Sequence, residues 1–105
     1  MSQHTALDLI EAINHARSAR KWVVLVCPND DQLMEVRRGL AAALQPEDRF
    51  SGRTATLDGG GTISAVSQED EPFQPDGRAI SVRFMGVWKT TTGMDKWRKV
   101  AQEVL

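Results

Sequence analysis

The segment KWVVLVC, residues 21–27, is apolar and β-branched almost throughout. It lacks the apolar-polar alternation of a strand with one wet face. Runs of this kind suit a strand covered on both faces, as in the middle of an α/β sheet. Its apolar stretch, Trp22 to Cys27, is the longest in the chain. It falls far short of the ~20 residues a membrane-spanning helix needs.

The flanks supply the covers. In residues 5–19, Ala6, Leu9, Ile10, Ile13 and Ala16 recur at three- and four-residue spacing, which predicts a helix with one apolar face. Thr5 and Asp8 resemble a capping box. Asp8 and Glu11 suit the positive end of the helix dipole, and Arg17 suits the negative end. Pro28 stops the strand, and Asn29 or Asp30 can cap a second helix over about 30–45. That helix turns Leu33, Val36, Leu40, Ala43 and Leu44 inward and Glu35, Arg37 and Arg38 outward, and Pro46 ends it.

The second half changes period. RTATLD (53–58) and TISAVS (62–67) are short, rich in Thr, Val and Ile, and bounded by turn residues, which predicts an antiparallel pair. Between them stands Asp58-Gly59-Gly60-Gly61. A phosphate-cradling loop joins a strand to a helix, whereas these glycines join two strands, so they read as a hairpin turn. Neither G-x-x-x-x-G-K-[ST] nor G-x-G-x-x-G occurs. QEDEPFQPDG (68–77) is acidic and broken by two prolines, an exposed loop. RAISVRFM (78–85) alternates as a half-buried strand, with Ile80, Val82 and Phe84 on one side. Thr92 and Asp95 open a last helix, 93–105, that presents Met94, Trp97, Val100, Ala101 and Val104 to the core. The expectation is a single layered α/β domain over 1–105. Its order is α-β-α-β-β-β-α, a small mixed sheet with helices packed on it and 21–27 central.

Charge and chemistry narrow the function. Lys plus Arg number 13 and Asp plus Glu number 14, a formal net charge of −1. That balance argues against a general polyanion binder. One cysteine in 105 residues precludes an internal disulfide and fits a reduced, cytoplasmic setting. MSQHTALDLIEA has no basic region followed by an apolar core, so no signal peptide is read. Cys27 stands at the carboxyl end of the central strand, where open α/β sheets often bind ligands, but a buried structural thiol is the commoner case. His4 and His15 lack metal-site spacing, and His15 follows Glu11 by four residues, the spacing of a surface pair. Glu69, Asp70, Glu71 and Asp76 read as a solvated face. Trp97 and Trp22 have core positions, which leaves Trp88 exposed, beside Lys89 and near Lys96 and Lys99.

HTALDLIEAINHARSARKWVVLVCPNDDQL resembles the helix, strand and proline-polar turn that follow the phosphate loop in the ATPase core of phage large terminases and helicases. TATLDGGGTISAVS is similar to the glycine-bearing hairpin later in such cores. The resemblance covers about residues 5–67. The phosphate loop, its lysine and the paired acids of a Walker B strand are missing. The resemblance therefore implies a half-core shape without nucleotide chemistry, and a phage or mobile-element origin.

The expected function is non-catalytic binding of a partner protein, with no cofactor and no metal. Trp88, Lys89, Lys96, Lys99, Arg37 and Arg38 are the candidate contact residues. A nucleic-acid accessory role for Trp88 and the basic last helix is the alternative, and a small-molecule enzyme using Cys27 is a third. The edge of the hairpin offers a pairing surface for a second copy, so a homodimer fits.

Overall fold

The computed structural model describes residues 3–73 and 79–105. In chain order the elements are α1 (Gln3–Ala19), β1 (Trp22–Cys27), α2 (Asp30–Ala43), β2 (Arg49–Ser51), β3 (Thr54–Thr56), β4 (Thr62–Ser67), β5 (Ile80–Phe84), α3 (Thr92–Val100) and β6 (Ala101–Val104). The strands form one mixed sheet in the order β2-β3-β4-β1-β5-β6. As the apolar run predicts, β1 is central, parallel to β4 on one side and to β5 on the other. Val23 to Cys27 are all buried. Side chains alternate along β1, so Val23, Leu25 and Cys27 join the core under α1 and α2, while Val24 and Val26 join the core under α3.

The hairpin forms as expected, with Thr54↔Ser64 and Thr56↔Thr62 in antiparallel register. Its glycines do two different jobs. Gly59 and Gly60 have φ of 90° and 110°, which a side-chain-bearing residue rarely adopts. Gly61 instead lies against the end of α1, where an added Cβ would sit 2.2 Å from the Ala16 carbonyl oxygen.

Four expectations are corrected. The last helix stops at Val100, and 101–104 is an edge strand parallel to β5. The spacing of Val100, Ala101 and Val104 suits a helix, but the exposed backbone edge of β5 captures these residues. Val104 is 49% exposed there instead of buried. A three-residue strand, β2, extends the hairpin; Arg49–Ser51 is too short and polar to signal a strand alone. β5 is not a half-wet strand, because both faces of the sheet are covered there. Met85 packs into the core with α1 and α2, Arg83 pairs with Asp8 of α1, and Ile80 and Val82 lie in the core with Trp97 of α3; Ser81 is buried beside Glu103. Thr5 lies inside α1, not at its cap, and α3 begins after Thr91, which makes no side-chain cap bond. Asn29 does cap α2, accepting from the Gln32 N–H at 2.9 Å.

One buried carboxylate ties three segments together. Asp48 Oδ1 accepts from Arg17 Nη1 at 3.0 Å and from the Asp58 N–H at 2.8 Å. Oδ2 accepts from Arg17 Nη2 at 2.7 Å and from the Gln45 N–H at 2.8 Å. The Asp48 side chain is fully buried. Its hydrogen bonds from Arg17 hold it ionised far below the usual carboxylate range. Helix α1, the turn after α2 and the hairpin are thereby fixed to one another.

Candidate functional site

The chain leaves β1 through α2 on one face and reaches β4 on one side. It leaves β5 through α3 on the other face and reaches β6 on the opposite side. Where such connections diverge, the loops after the parallel strands part and leave a gap at their carboxyl ends. Here the gap is a crevice of about 480 Å³, lined by Pro28, Asn29 and Gln32 after β1, Gln68 after β4, and Val87, Lys89 and Thr90 after β5.

Its walls are held by side chains that grip neighbouring loops. Gln68 Nε2 donates to the Pro28 carbonyl at 2.6 Å. Its Oε1 fills the space a side chain at Gly93 would occupy, 2.1 Å from the position of a Cβ. Gln32 packs over Gly86 in the same way, at 1.5 Å, and Gly86 has φ of 81°. Trp88 Nε1 donates to the Met85 carbonyl at 2.9 Å. Its ring meets Phe84 edge-on, with centroids 5.5 Å apart, and Arg98 lies over Phe84 at 5.4 Å. The loop after β5 is thus anchored from below, while Val87, 76% exposed, and Lys89 stand at its surface. Lys89 has no hydrogen-bond or charged partner among the described residues. Asp30 and Asp31 open α2 close by and suit its dipole, which disfavours a polyanion at that helix end.

The six candidate contact residues do not form one surface. Trp88 is half-buried and is the anchor of the loop, not its exposed face; only Lys89 lines the crevice. Lys96 and Lys99 lie on α3, with Arg98 paired to Asp95 at 3.2 Å. Arg37 and Arg38 belong to α2, across the sheet. Arg37 is not turned outward: its Nη2 donates to the Ala65 carbonyl at 3.1 Å, so its head is tied to β4. Arg38 is exposed. Sequence reading missed Gln32 and Gln68, whose only signal was Gly86 and Gly93, small residues beside a strand end and a helix start.

The other candidates resolve simply. Cys27 is buried, and burial pushes its thiol up to about 12, with Arg37 offsetting this only in part. Such a thiol is a poor nucleophile. Among the described residues no three His, Cys, Asp or Glu side chains converge as a metal site. His15 pairs with Glu103 at 3.3 Å and not with Glu11, which reaches Arg83 at 3.4 Å. Glu103 Oε1 also accepts from Ser81 at 2.6 Å and Lys21 at 2.8 Å. These bonds, Lys21 first, lower the Glu103 carboxyl to about 2. Ser81 donates to the carboxylate oxygen that His15 also meets, and the imidazole contacts that oxygen and not the Ser81 hydroxyl, so the cluster fastens β6 to α1 and β5. The acidic loop begins with a tight turn, Asp70 accepting from the Ser67 N–H at 3.0 Å, and Phe73 packs edge-on to Trp22 and Trp97. Residues 74–77 of that loop, and Arg78 of the expected strand, lie outside the described residues. No described helix is long and apolar enough to cross a membrane.

No protein-family model, curated protein or solved structure matches this chain.

Proposed function

We propose that the chain is a non-catalytic binding domain that receives an exposed, acid-bearing segment of a partner protein in the crevice at the carboxyl edge of the sheet. The observation that carries this reading is the pairing of Val87 and unpaired Lys89 on a loop already fixed by Trp88, Gln32 and Gln68. A large exposed apolar side chain beside a cation unpaired among the described residues, on a rigid platform, suits protein contact, because pre-organisation lowers the entropy cost of binding. Three carboxamides and Thr90 provide donors and acceptors for a peptide backbone. Among the described residues that line the crevice Lys89 is the one cation, which fits a carboxylate better than a nucleic-acid backbone.

Capture of partners from native host lysate, with and without nuclease, tests the reading. The partner should be retained after nuclease treatment. Its affinity should fall with Lys89→Glu and with Val87→Asp, and stay unchanged with Lys99→Glu. Retention that depends on nucleic acid and falls with Lys96→Glu and Lys99→Glu would instead select the nucleic-acid reading. Unchanged affinity in all variants would reject the crevice.

A further inference from the structure

The crevice continues past Gln32. A second depression of about 300 Å³ adjoins it, lined by Thr5 of α1, Gln32 and Glu35 of α2, and Gly86 and Val87 after β5. Gln32 and Val87 line both depressions, so they form a saddle over which the two run together. Gly86 makes the saddle possible. A Cβ there would overlap the Gln32 Oε1, so only a glycine lets that side chain rest on the loop.

The two ends carry opposite charge. Lys89 belongs to the first depression and Glu35 to the second. Glu35 is exposed and, like Lys89, has no hydrogen-bond or charged partner among the described residues; Arg38, three residues on, does not pair with it. Asp31, one turn before Glu35 on the same side of α2 and also exposed, adds to the negative potential at that end.

We infer that the segment received in the crevice carries a base as well as an acid, the acid at Lys89 and the base at Glu35, with its backbone crossing the Gln32–Val87 saddle. This rests on the binding role proposed above and adds the second charge. Asn29 lines the first depression beside Lys89. From Asn29 to Glu35 the helix rises ~9 Å. An extended chain covers that distance in about three residues. The spacing suits a peptide segment, not the carboxylate and ammonium on one carbon of a free amino acid. Opposite charges at the two ends also fix the direction in which the segment lies. The reversed segment would set its acid on Glu35 and its base on Lys89, a like-charge cost at both ends.

Panning a library of short random peptides against the full chain, with Val87→Asp as the counter-selection, tests the inference. Enriched peptides should pair an acid with a Lys or Arg about three residues away. Their binding, read by fluorescence anisotropy, should weaken several-fold with Glu35→Lys, a change in an exposed side chain that should leave the melting temperature unaltered. Replacing the peptide's base by Glu should weaken binding to the parent in the same way, and the two reversals together should restore it. Enriched peptides that carry acids alone and bind Glu35→Lys at least as tightly as the parent would overturn the inference and leave the proposed function standing. So would a double reversal no tighter than either single one. Peptides indifferent to Lys89→Glu, or no enrichment over Val87→Asp, would overturn both.

Discussion

Asp48→Asn should destabilise the fold by about 3–5 kcal/mol, the scale for leaving a buried charge without its partner. The carboxylate accepts four hydrogen bonds, two on each oxygen, and every one comes from an N–H. An asparagine keeps the shape but offers one acceptor oxygen. Its NH₂ would then face two donors, whichever way the amide turns, and Arg17 would lose its counter-charge. Charge-assisted bonds are worth ~1.5–3 kcal/mol each, so two lost bonds already reach that range. A chain of about this size should lose more than ~10 °C in melting temperature. Urea denaturation of parent, Asp48→Asn, Arg17→Met and the double variant would measure the loss and the coupling. The pH dependence carries a sign. The folded-state carboxyl is depressed below its unfolded value. Its contribution is therefore full above the unfolded pKa of ~3.9 and fades as pH falls toward the lower folded value. Parent stability should fall more steeply with acid than that of Asp48→Asn. A loss under ~0.5 kcal/mol, or identical acid profiles, would refute the reasoning.

Gly61→Ala should cost more stability than Gly59→Ala although its backbone is unstrained, because its Cβ meets the Ala16 carbonyl at 2.2 Å while the space at Gly59 is open; chemical denaturation of the two variants would compare them. Trp97→Ala should cost ~3–5 kcal/mol, the scale for a buried aromatic, and half-buried Trp88→Ala clearly less, with the larger effect of Trp88→Ala on partner affinity. Native Cys27 should resist alkylation at pH 8 and react on unfolding, as a buried thiol raised to about 12 requires. Glu103→Gln should loosen β6, seen as faster amide exchange at Leu105, whose N–H donates to the Val82 carbonyl at 2.8 Å. In the parent the protection of that amide, its exchange relative to an unprotected amide at the same pH, should fall as pH falls toward the lowered Glu103 value of about 2.

What the sequence made legible follows its periodicities. The run 22–27 placed the central strand, and the hairpin and both long helices followed from their spacing and turn residues. β6 was illegible because a four-residue segment continuing a helical pattern is decided by the sheet edge it meets, not by its own preference. Asp48 was illegible for another reason. Two of its three partners lie 31 and 10 residues away, and an acidic residue in a Pro-Glu-Asp turn looks solvated until the fold closes over it. The crevice shows the same limit. Lys89 stood out as a charge, but Gln32 and Gln68 acquire their role only when α2 and the strand ends meet Gly86 and Gly93. Ile10 and Ala43 are the reverse case, an apolar pattern wider than the core that uses it.

On the proposed function, a partner protein binds in the crevice beside Val87 and Lys89. The most direct test places a photo-crosslinking residue at Val87 and, in a second variant, at the exposed edge position Val104, followed by irradiation in native host lysate. A discrete protein adduct should form from position 87 and be abolished by Lys89→Glu, with none of that mass from position 104. The same adduct from both positions, or one from 87 that persists with Lys89→Glu, would contradict it.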